Sequence, residues 1–163
     1  MATGRIASRI PAPVHRWLLR LVQPVRLRLW GVLAREVEGI MVLGFSDDGQ
    51  IVLVRHSYHL PDQWLVPGGG RATGESIVAA ACREMAEEAG CTLHDPQHVG
   101  QMLRVMPQGW TNRIEIVTGR INGMPVADGR EIVEAALHDP AALPAQTHAS
   151  VRDYLALHDI LER

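Results

Sequence analysis

Three glutamates that lie close together in the sequence are the residues of this chain best suited to chemistry. Glu84, Glu87 and Glu88 are spaced i, i+3 and i+4, so on a helix they would share one strip of its surface. Carboxylates on one strip repel each other, and near the end of a helix the macrodipole also disfavours negative charge. A hard divalent cation with oxygen ligands, Mg²⁺ or Mn²⁺, would remove that repulsion. The spacing therefore predicts a cation site.

The segment from Ser76 to Ala89 is expected to form the helix that carries these glutamates. It contains no glycine or proline and is rich in alanine, the residue with the highest helix propensity. Gly90 follows, where a left-handed C-terminal cap favours a residue without a Cβ atom. One apolar arc of this helix is expected to face a core. The members of the arc are Ile77, Val78, Ala81, Cys82, Met85 and Ala89.

A run of glycines precedes the helix at residues 68–70. Because glycine has no side chain, the backbone there can approach a ligand closely, and a cation beside such a loop suits phosphate chemistry. A solvated helix face is the better interpretation of an isolated Glu-x-x-Glu-Glu. Here seven identities fall at set spacings, a coincidence expected in about one chain of this length in a million. They are Gly69, Glu75, Arg83, Glu84, Glu87, Glu88 and Gly90.

Residues 69–91 resemble the Nudix box, Gly-x5-Glu-x7-Arg-Glu-U-x-Glu-Glu-x-Gly-U, in which U is a bulky apolar residue. Every fixed position matches, and only Cys91 is smaller than the usual last U. The segments 64–69 and 131–134 also look like the family, so the resemblance extends over about residues 36–160. It implies an α/β fold of the α+β type, namely a Nudix-like α/β/α sandwich with a mixed β-sheet.

The resemblance also implies an activity and a cofactor. Nudix hydrolases cleave the pyrophosphate bond of a nucleoside diphosphate linked to another moiety, such as ADP-ribose, a nucleotide sugar or an NTP. The implied cofactor is Mg²⁺, with Mn²⁺ as a substitute. A nucleotide-binding sensor module on the same scaffold is the alternative function, and an isomerase acting on a diphosphate is a third.

Roles for individual residues follow from the same resemblance. Glu84 is the candidate base for the attacking water, Arg83 is expected to orient glutamates, and Glu75 to anchor Arg83. One acid from the C-terminal half is expected to complete the metal site; Glu131 is chosen, with Glu134 and then Glu115 as alternatives. The implied metal ligands are Gly69, Glu84, Glu87, Glu88 and Glu131.

Residues for substrate binding are suggested only by residue type. Trp110 could stack on a nucleobase, although packing is an equal alternative, and Arg113 lies close to it in the sequence. Arg55, with the neighbouring His56, Tyr58 and His59, could line the entry for phosphate groups. Arg55, Trp110 and Arg113 are the predicted substrate-binding residues.

The whole chain has the composition of a globular protein, with 163 residues, 47% of them hydrophobic and 21% charged. It has no run of eighteen apolar residues, so no transmembrane segment is expected. Its two cysteines give no disulfide framework, which favours a reducing, cytoplasmic location. The expected partners are a small-molecule nucleotide and a second copy in a homodimer, with nucleic acid only as a capped RNA end.

Charge divides the chain into an Arg-rich N-terminal segment (residues 1–35) and a second part (residues 36–163), which the resemblance implies to be a Nudix domain. Seven arginines precede the first acid, Glu36, and nine arginines follow among eighteen acids, so the two parts carry about +7 and −9. A short helix is expected from His15 to Val22. Three interpretations of the segment remain open: packing on the domain or a dimer partner, a flexible arm, and contact with an anionic membrane or nucleic acid.

Hydrophobic patterning predicts the remaining elements of the domain. Asp48-Gly49 is a strong signal for the turn of a β-hairpin. The predicted strands are Val37 to Phe45, Gln50 to Arg55, Val99 to Val105, Arg113 to Arg120 and Glu131 to Leu137, and a closing helix is predicted from His148 to Leu161.

Overall fold

A computed structural model gives the fold and describes residues 36–60, 62–105 and 109–161. The predictions for residues 1–35, including the helix from His15 to Val22, lie outside the described residues. Among those described, no helix has the length and apolar character needed to cross a membrane.

The described elements are two groups of three strands, each followed by a helix. They are β1 (Glu36–Phe45), β2 (Ile51–His56), β3 (Gly68–Gly70), α1 (Ile77–Ala89), β4 (Thr92–Val105), β5 (Thr111–Asn122), β6 (Ile132–His138), a 3-10 turn (Pro140–Ala142) and α2 (Ala149–Leu161). The strand order is β4-β5-β1-β2-β6, and β3 pairs with β1. Because β1 runs parallel to β5 and antiparallel to β2, the sheet is mixed, as predicted.

The two helices cover opposite faces of the sheet. Met85 of α1 belongs to a buried cluster with Val42 of β1, whereas Val151 of α2 belongs to a second cluster with Leu43. Successive residues of a strand point to opposite faces, so each cluster fills one layer between sheet and helix. The predicted α/β/α sandwich with a mixed sheet is therefore confirmed. We call these the α1 face and the α2 face.

Local signals in the sequence fix both ends of α1. The hydroxyl of Ser76 accepts a hydrogen bond from the backbone N–H of Ala79 at 3.1 Å, which caps the first turn. Gly90 adopts the left-handed conformation with φ of 64° and donates its N–H to the carbonyl of Ala86. The predicted helix and its glycine cap are confirmed, and the three glutamates lie in its last two turns.

The predicted apolar arc of α1 was wrong at one residue that is exposed, and it omitted one that is buried. Val78 is 37% exposed, and Ala80, which the arc omitted, is fully buried. The buried face of α1 also includes Glu84 and Glu88. Since two carboxylates face the sheet, the buried arc is rotated away from the one that hydrophobicity alone predicts.

Strand β4 begins seven residues earlier than predicted, at Thr92 instead of Val99. Its pairing with β5 shifts register between His94 and Gln97 and again between His98 and Gly100. The first half is polar and contains Pro96, which a sheet tolerates at an edge or a bulge. An irregular edge strand of this kind lacks the alternation by which strands are predicted.

Candidate active site

Helix α1 directs two of the three glutamates into the protein. The side chains of Glu84 and Glu88 are buried, while that of Glu87 is 62% exposed. Glu84 lies directly against the backbone of β3: a Cβ atom added at Gly69 would be 2.7 Å from its Cδ. Gly69 pairs with Ile40 of β1. The sheet therefore holds Gly69 at a position where any side chain would overlap the carboxylate of Glu84.

Glu88 is held from two sides. Its Oε2 accepts a hydrogen bond from the backbone N–H of Gly68 at 2.9 Å, and its Oε1 lies 3.9 Å from Nε2 of His56. The pKa of Glu88 is raised to about 8, mainly by burial and in part by the charges of Glu84, Glu131 and Asp128, while the hydrogen bond from Gly68 opposes the rise. The negative charges of several carboxylates thus act on the buried carboxyl group of Glu88.

Arg83 connects the remaining acids of the box. Its guanidinium donates to both carboxylate oxygens of Glu75, at 2.9 and 3.0 Å. It also donates to Glu84 at 2.6 Å, to Glu87 at 3.2 Å and to the carbonyl of Gly70 at 3.0 Å. Arg83 thereby fixes the position of Glu84 relative to β3.

The pKa values reflect this arrangement. The hydrogen bonds from Arg83 lower the pKa of Glu75 to about 2, and the bond to Glu75 contributes most to raising the pKa of Arg83. Burial raises the pKa of Glu84, although the bond from Arg83 opposes it. The site therefore combines a firmly ionised pair at its rim with buried carboxyl groups that bind protons more readily than usual.

Of the C-terminal acids, the structure brings Glu131 towards the glutamates. Its carboxylate accepts a hydrogen bond from the hydroxyl of Tyr58 at 3.2 Å, and its charge acts on Glu88. Glu134 instead bonds to Arg55 at 3.0 Å. Glu115, the third alternative, contacts His98 at 2.7 Å.

The pairing of β2 with β6 is irregular close to Glu131 and Glu134. Arg55 pairs with Glu134 but His56 pairs with Ile132, so β6 has one extra residue there. Bulges of this kind redirect side chains next to functional sites. The backbone N–H of Ser57 then bonds to the carbonyl of Glu131 at 2.8 Å, which fixes the start of β6.

Asp128 is a site residue that the sequence interpretation missed. Its carboxylate accepts hydrogen bonds from the backbone N–H groups of Arg130 at 2.8 Å and Ile132 at 2.9 Å. It closes the turn that carries Glu131, and its charge also raises the pKa of Glu88. The available signal is the dipeptide Asp128-Gly129, since an aspartate before glycine is a common turn-forming pair.

The structure does not bring the three predicted substrate-binding residues together. Arg55 lies on the α2 face, where its guanidinium bonds to Glu134 and its Cζ lies 5.8 Å from the ring centroid of Trp64. Strand alternation explains this, since Leu53 of the same strand packs in the cluster on that face. Arg55 thus lies on the face of the sheet opposite to the glutamates, and its role at the entry for phosphate groups stays a prediction.

The structure places Trp110 and Arg113 in different surroundings. Trp110 is 3% exposed, so its ring faces protein and not an open groove. Arg113 alternates with Ile114, which packs on the α2 face, so it projects from the α1 face, where the glutamates lie. Its pairing partner on β1 is Glu38.

The side chains of the site can be compared with the ligands that a divalent cation prefers. No group of three His, Cys, Asp or Glu side chains in the described part of the chain forms a ready-made metal site. Glu84 and Glu88, however, offer carboxylate oxygens beside the glycine backbone of β3, and both have raised pKa values. Carboxylate oxygens are the hard donors that Mg²⁺ and Mn²⁺ prefer, and Glu84 offers them while it is also bonded to Arg83.

The family model of the NUDIX domain matches residues 35–158 of this chain. Because that match covers most of the sequence, the chain belongs to the Nudix family, and its box residues lie in the arrangement described above.

Solved structures have the same fold. A MutT NUDIX hydrolase from Burkholderia pseudomallei superposes with a TM-score of 0.67 at 20% identity, covering 75% of this chain and 97% of the other. A MutT protein from Methanosarcina mazei Go1 superposes with a TM-score of 0.64 at 20% identity, covering 78% and 96%.

Curated relatives match over a short part of the chain. Diphosphoinositol polyphosphate phosphohydrolase 2 from Mus musculus is 49% identical over 45 residues, which are 28% of this chain and 25% of that protein. The protein of the same name from Homo sapiens matches to the same extent. The chain thus aligns with about a quarter of the length of these relatives.

Proposed function

We propose that this protein is a Mg²⁺-dependent Nudix hydrolase that cleaves the pyrophosphate bond of a nucleoside diphosphate linked to another moiety. The single observation that supports it most is the burial of Glu84 and Glu88 against the backbone of Gly68 and Gly69. Buried carboxylates are costly unless a cation or a proton compensates them. A diphosphate substrate bound through a divalent cation gives this arrangement a use.

The residues proposed to hold the cation are Glu84, Glu87, Glu88, Glu131 and the carbonyl of Gly69. When bound, Mg²⁺ neutralises charge on the diphosphate and makes phosphorus easier to attack. Mn²⁺ is expected to replace it. Arg83 contributes by holding Glu84, and the N–H of Gly68 contributes by holding Glu88.

Glu84 is the proposed general base. It takes a proton from the attacking water, whose oxygen forms a bond to phosphorus while the bridging P–O bond breaks. The reaction leaves two phosphorylated fragments. Glu75 does not touch the substrate in this proposal; its paired oxygens keep Arg83, and through it Glu84, in place.

The substrate class is open to direct measurement. The panel would contain ADP-ribose, nucleotide sugars, NTPs, dinucleoside polyphosphates and capped RNA, assayed with Mg²⁺ and with Mn²⁺. A diphosphoinositol polyphosphate belongs in the panel because of the name of the curated relatives. We expect release of a nucleoside monophosphate from at least one nucleotide. Tight nucleotide binding without hydrolysis under both cations would favour the sensor function instead.

Two substitutions test the proposed site. E87Q and E88Q should each lower turnover by at least about a hundredfold, because a group that stabilises charge in the transition state commonly contributes that much. E134Q is the matched control, since Glu134 is exposed and bonded to Arg55, and it should retain turnover within about threefold. A loss below tenfold in E87Q or E88Q would remove that residue from the site.

The finer expectations about the protein in the cell stay predictions. They are a cytoplasmic location, a homodimer, and contact with nucleic acid only at a capped RNA end.

A further inference from the structure

His56 occupies the end of β2, beside Glu88. Its side chain is 9% exposed. Val54, two residues earlier, packs in the cluster on the α1 face, so His56 projects towards the same layer. Its Nε2 lies 3.9 Å from Oε1 of Glu88.

Among the described residues, two rings and the carboxylate of Glu88 lie close to the imidazole of His56, and Asp128 acts on it electrostatically. Tyr58 and His59 approach it edge-on, with ring centroids 6.0 and 6.1 Å away. Its Nδ1 is buried and has no hydrogen-bond partner among the described residues. A proton on Nε2 faces a carboxylate, whereas a proton on Nδ1 would face no acceptor in this part of the chain. The Nε2–H tautomer is therefore favoured, which places the proton on the nitrogen that lies 3.9 Å from Glu88.

Glu88 is thus restrained at both oxygens. Gly68 donates to Oε2 at 2.9 Å, and the imidazole lies against Oε1. The separation of 3.9 Å is longer than a hydrogen bond, so the ring acts by blocking rotation of the carboxylate and by the attraction of its N–H dipole. With either restraint removed, the carboxylate could turn towards other positions.

We propose that His56 is a positioning residue for Glu88, holding its carboxylate in the orientation that binds a divalent cation. The inference rests on the proposed function, because it assigns His56 a part in the same site. The neighbours of cation ligands commonly fix the orientation of those ligands, and losing one typically weakens binding about 10-fold to 100-fold.

The test measures binding of Mn²⁺ alone, by electron paramagnetic resonance, without substrate. We expect H56L to raise the Kd for Mn²⁺ by at least about 10-fold. H56Q should restore binding to within about threefold of the wild type, because its amide N–H can replace the imidazole donor. His138 provides a matched control, being a half-buried histidine that contacts Trp64 on the α2 face, and H138L should change the Kd by less than twofold.

Each result decides for or against the proposal. If H56L binds Mn²⁺ within twofold of the wild type, or if H56Q is as weak as H56L, the ring only fills space and the proposal is overturned. If H56L does not fold, H56N replaces it, because the shorter amide cannot reach Glu88 while H56Q can. A wild-type protein that binds no Mn²⁺ would overturn the proposed function itself, which separates the two failures.

Discussion

The carboxyl group of Glu88 lies between helix and sheet, where little water reaches it. Burial raises its pKa to about 8 from an ordinary value of 4.5. Because the folded state holds the proton more tightly than the unfolded state, the contribution of Glu88 to stability is fully present below pH 4.5. It is lost as the pH rises through about 8. A residue proposed to bind a cation therefore lowers the stability of the fold at neutral pH and above.

Replacing Glu88 by glutamine should reveal how much the ionised carboxylate lowers the free energy of unfolding. In buffer with a chelator, E88Q should match the wild type near pH 4 and become increasingly more stable up to about pH 8. Each pH unit adds up to about 1.4 kcal/mol to the difference. The measurement is the free energy of unfolding, or the Tm, at a series of pH values.

E134Q serves as the control for this series. Glu134 is exposed and forms a surface ion pair with Arg55, and such pairs contribute at most about 1 kcal/mol. Its effect should show no rise between pH 5 and 8. An E88Q protein whose relative stability is the same at pH 4 and pH 8 would contradict the argument.

At the scale of elements, the close approach of α1 to β3 determines which glycine of β3 can be replaced by alanine without displacing Glu84. Glu84 fills the space where Gly69 would carry a Cβ, whereas a Cβ at Gly70 would meet no heavy atom within 4 Å. The two glycines are adjacent in one strand, so their replacement by alanine has similar effects on the backbone. Only the contact with α1 differs.

This contrast predicts different outcomes for two small substitutions. G69A should lower turnover by about a hundredfold, because displacing a group of the site by about 1 Å can cost that much. G70A should stay within about threefold of the wild type. Turnover and Tm measured side by side separate loss of the site from loss of the fold. Equal activities for G69A and G70A would show that Glu84 can move without consequence.

At the scale of the whole molecule, one edge of the sheet is apolar and lies close to the start of β1. Leu103 and Val105 on the edge strand β4 are 64% and 75% exposed. Val105 pairs with Thr111, which pairs with Glu36. The chain therefore enters the domain about 10 Å, two strand spacings, from this edge. Residues 1–35 carry about +7 and the domain about −9.

We expect the Arg-rich segment to pack on this part of the domain. Deleting residues 1–34 should then lower the Tm by several degrees, since losing about 1 kcal/mol shifts the Tm of a domain of this size by about 2–8 °C. The apparent hydrodynamic size measured by chromatography should also change. A full-length L103S/V105S protein should show part of the same loss of Tm. Unchanged Tm and size after the deletion would exclude the packing.

The sequence by itself determined the features that depend on short spacings. Gly90 and the uninterrupted run before it predict α1, because helix propensity and the glycine cap are local properties. The Asp48-Gly49 turn likewise predicted the hairpin, and Gly49 has the positive φ of 75° that such a turn requires. The fixed spacing of Glu84, Glu87 and Glu88 placed three acids in two turns of one helix.

Only the tertiary structure decided which distant residues join them. Arg55 and His56 are neighbours in the sequence, yet strand alternation directs them to opposite faces of the sheet, beside the irregular pairing of β2 with β6. The same pairing directs Glu134 to Arg55 and leaves Glu131 near Glu88. Composition and spacing cannot give this, because the face on which a strand residue lies depends on pairing between segments about 80 residues apart.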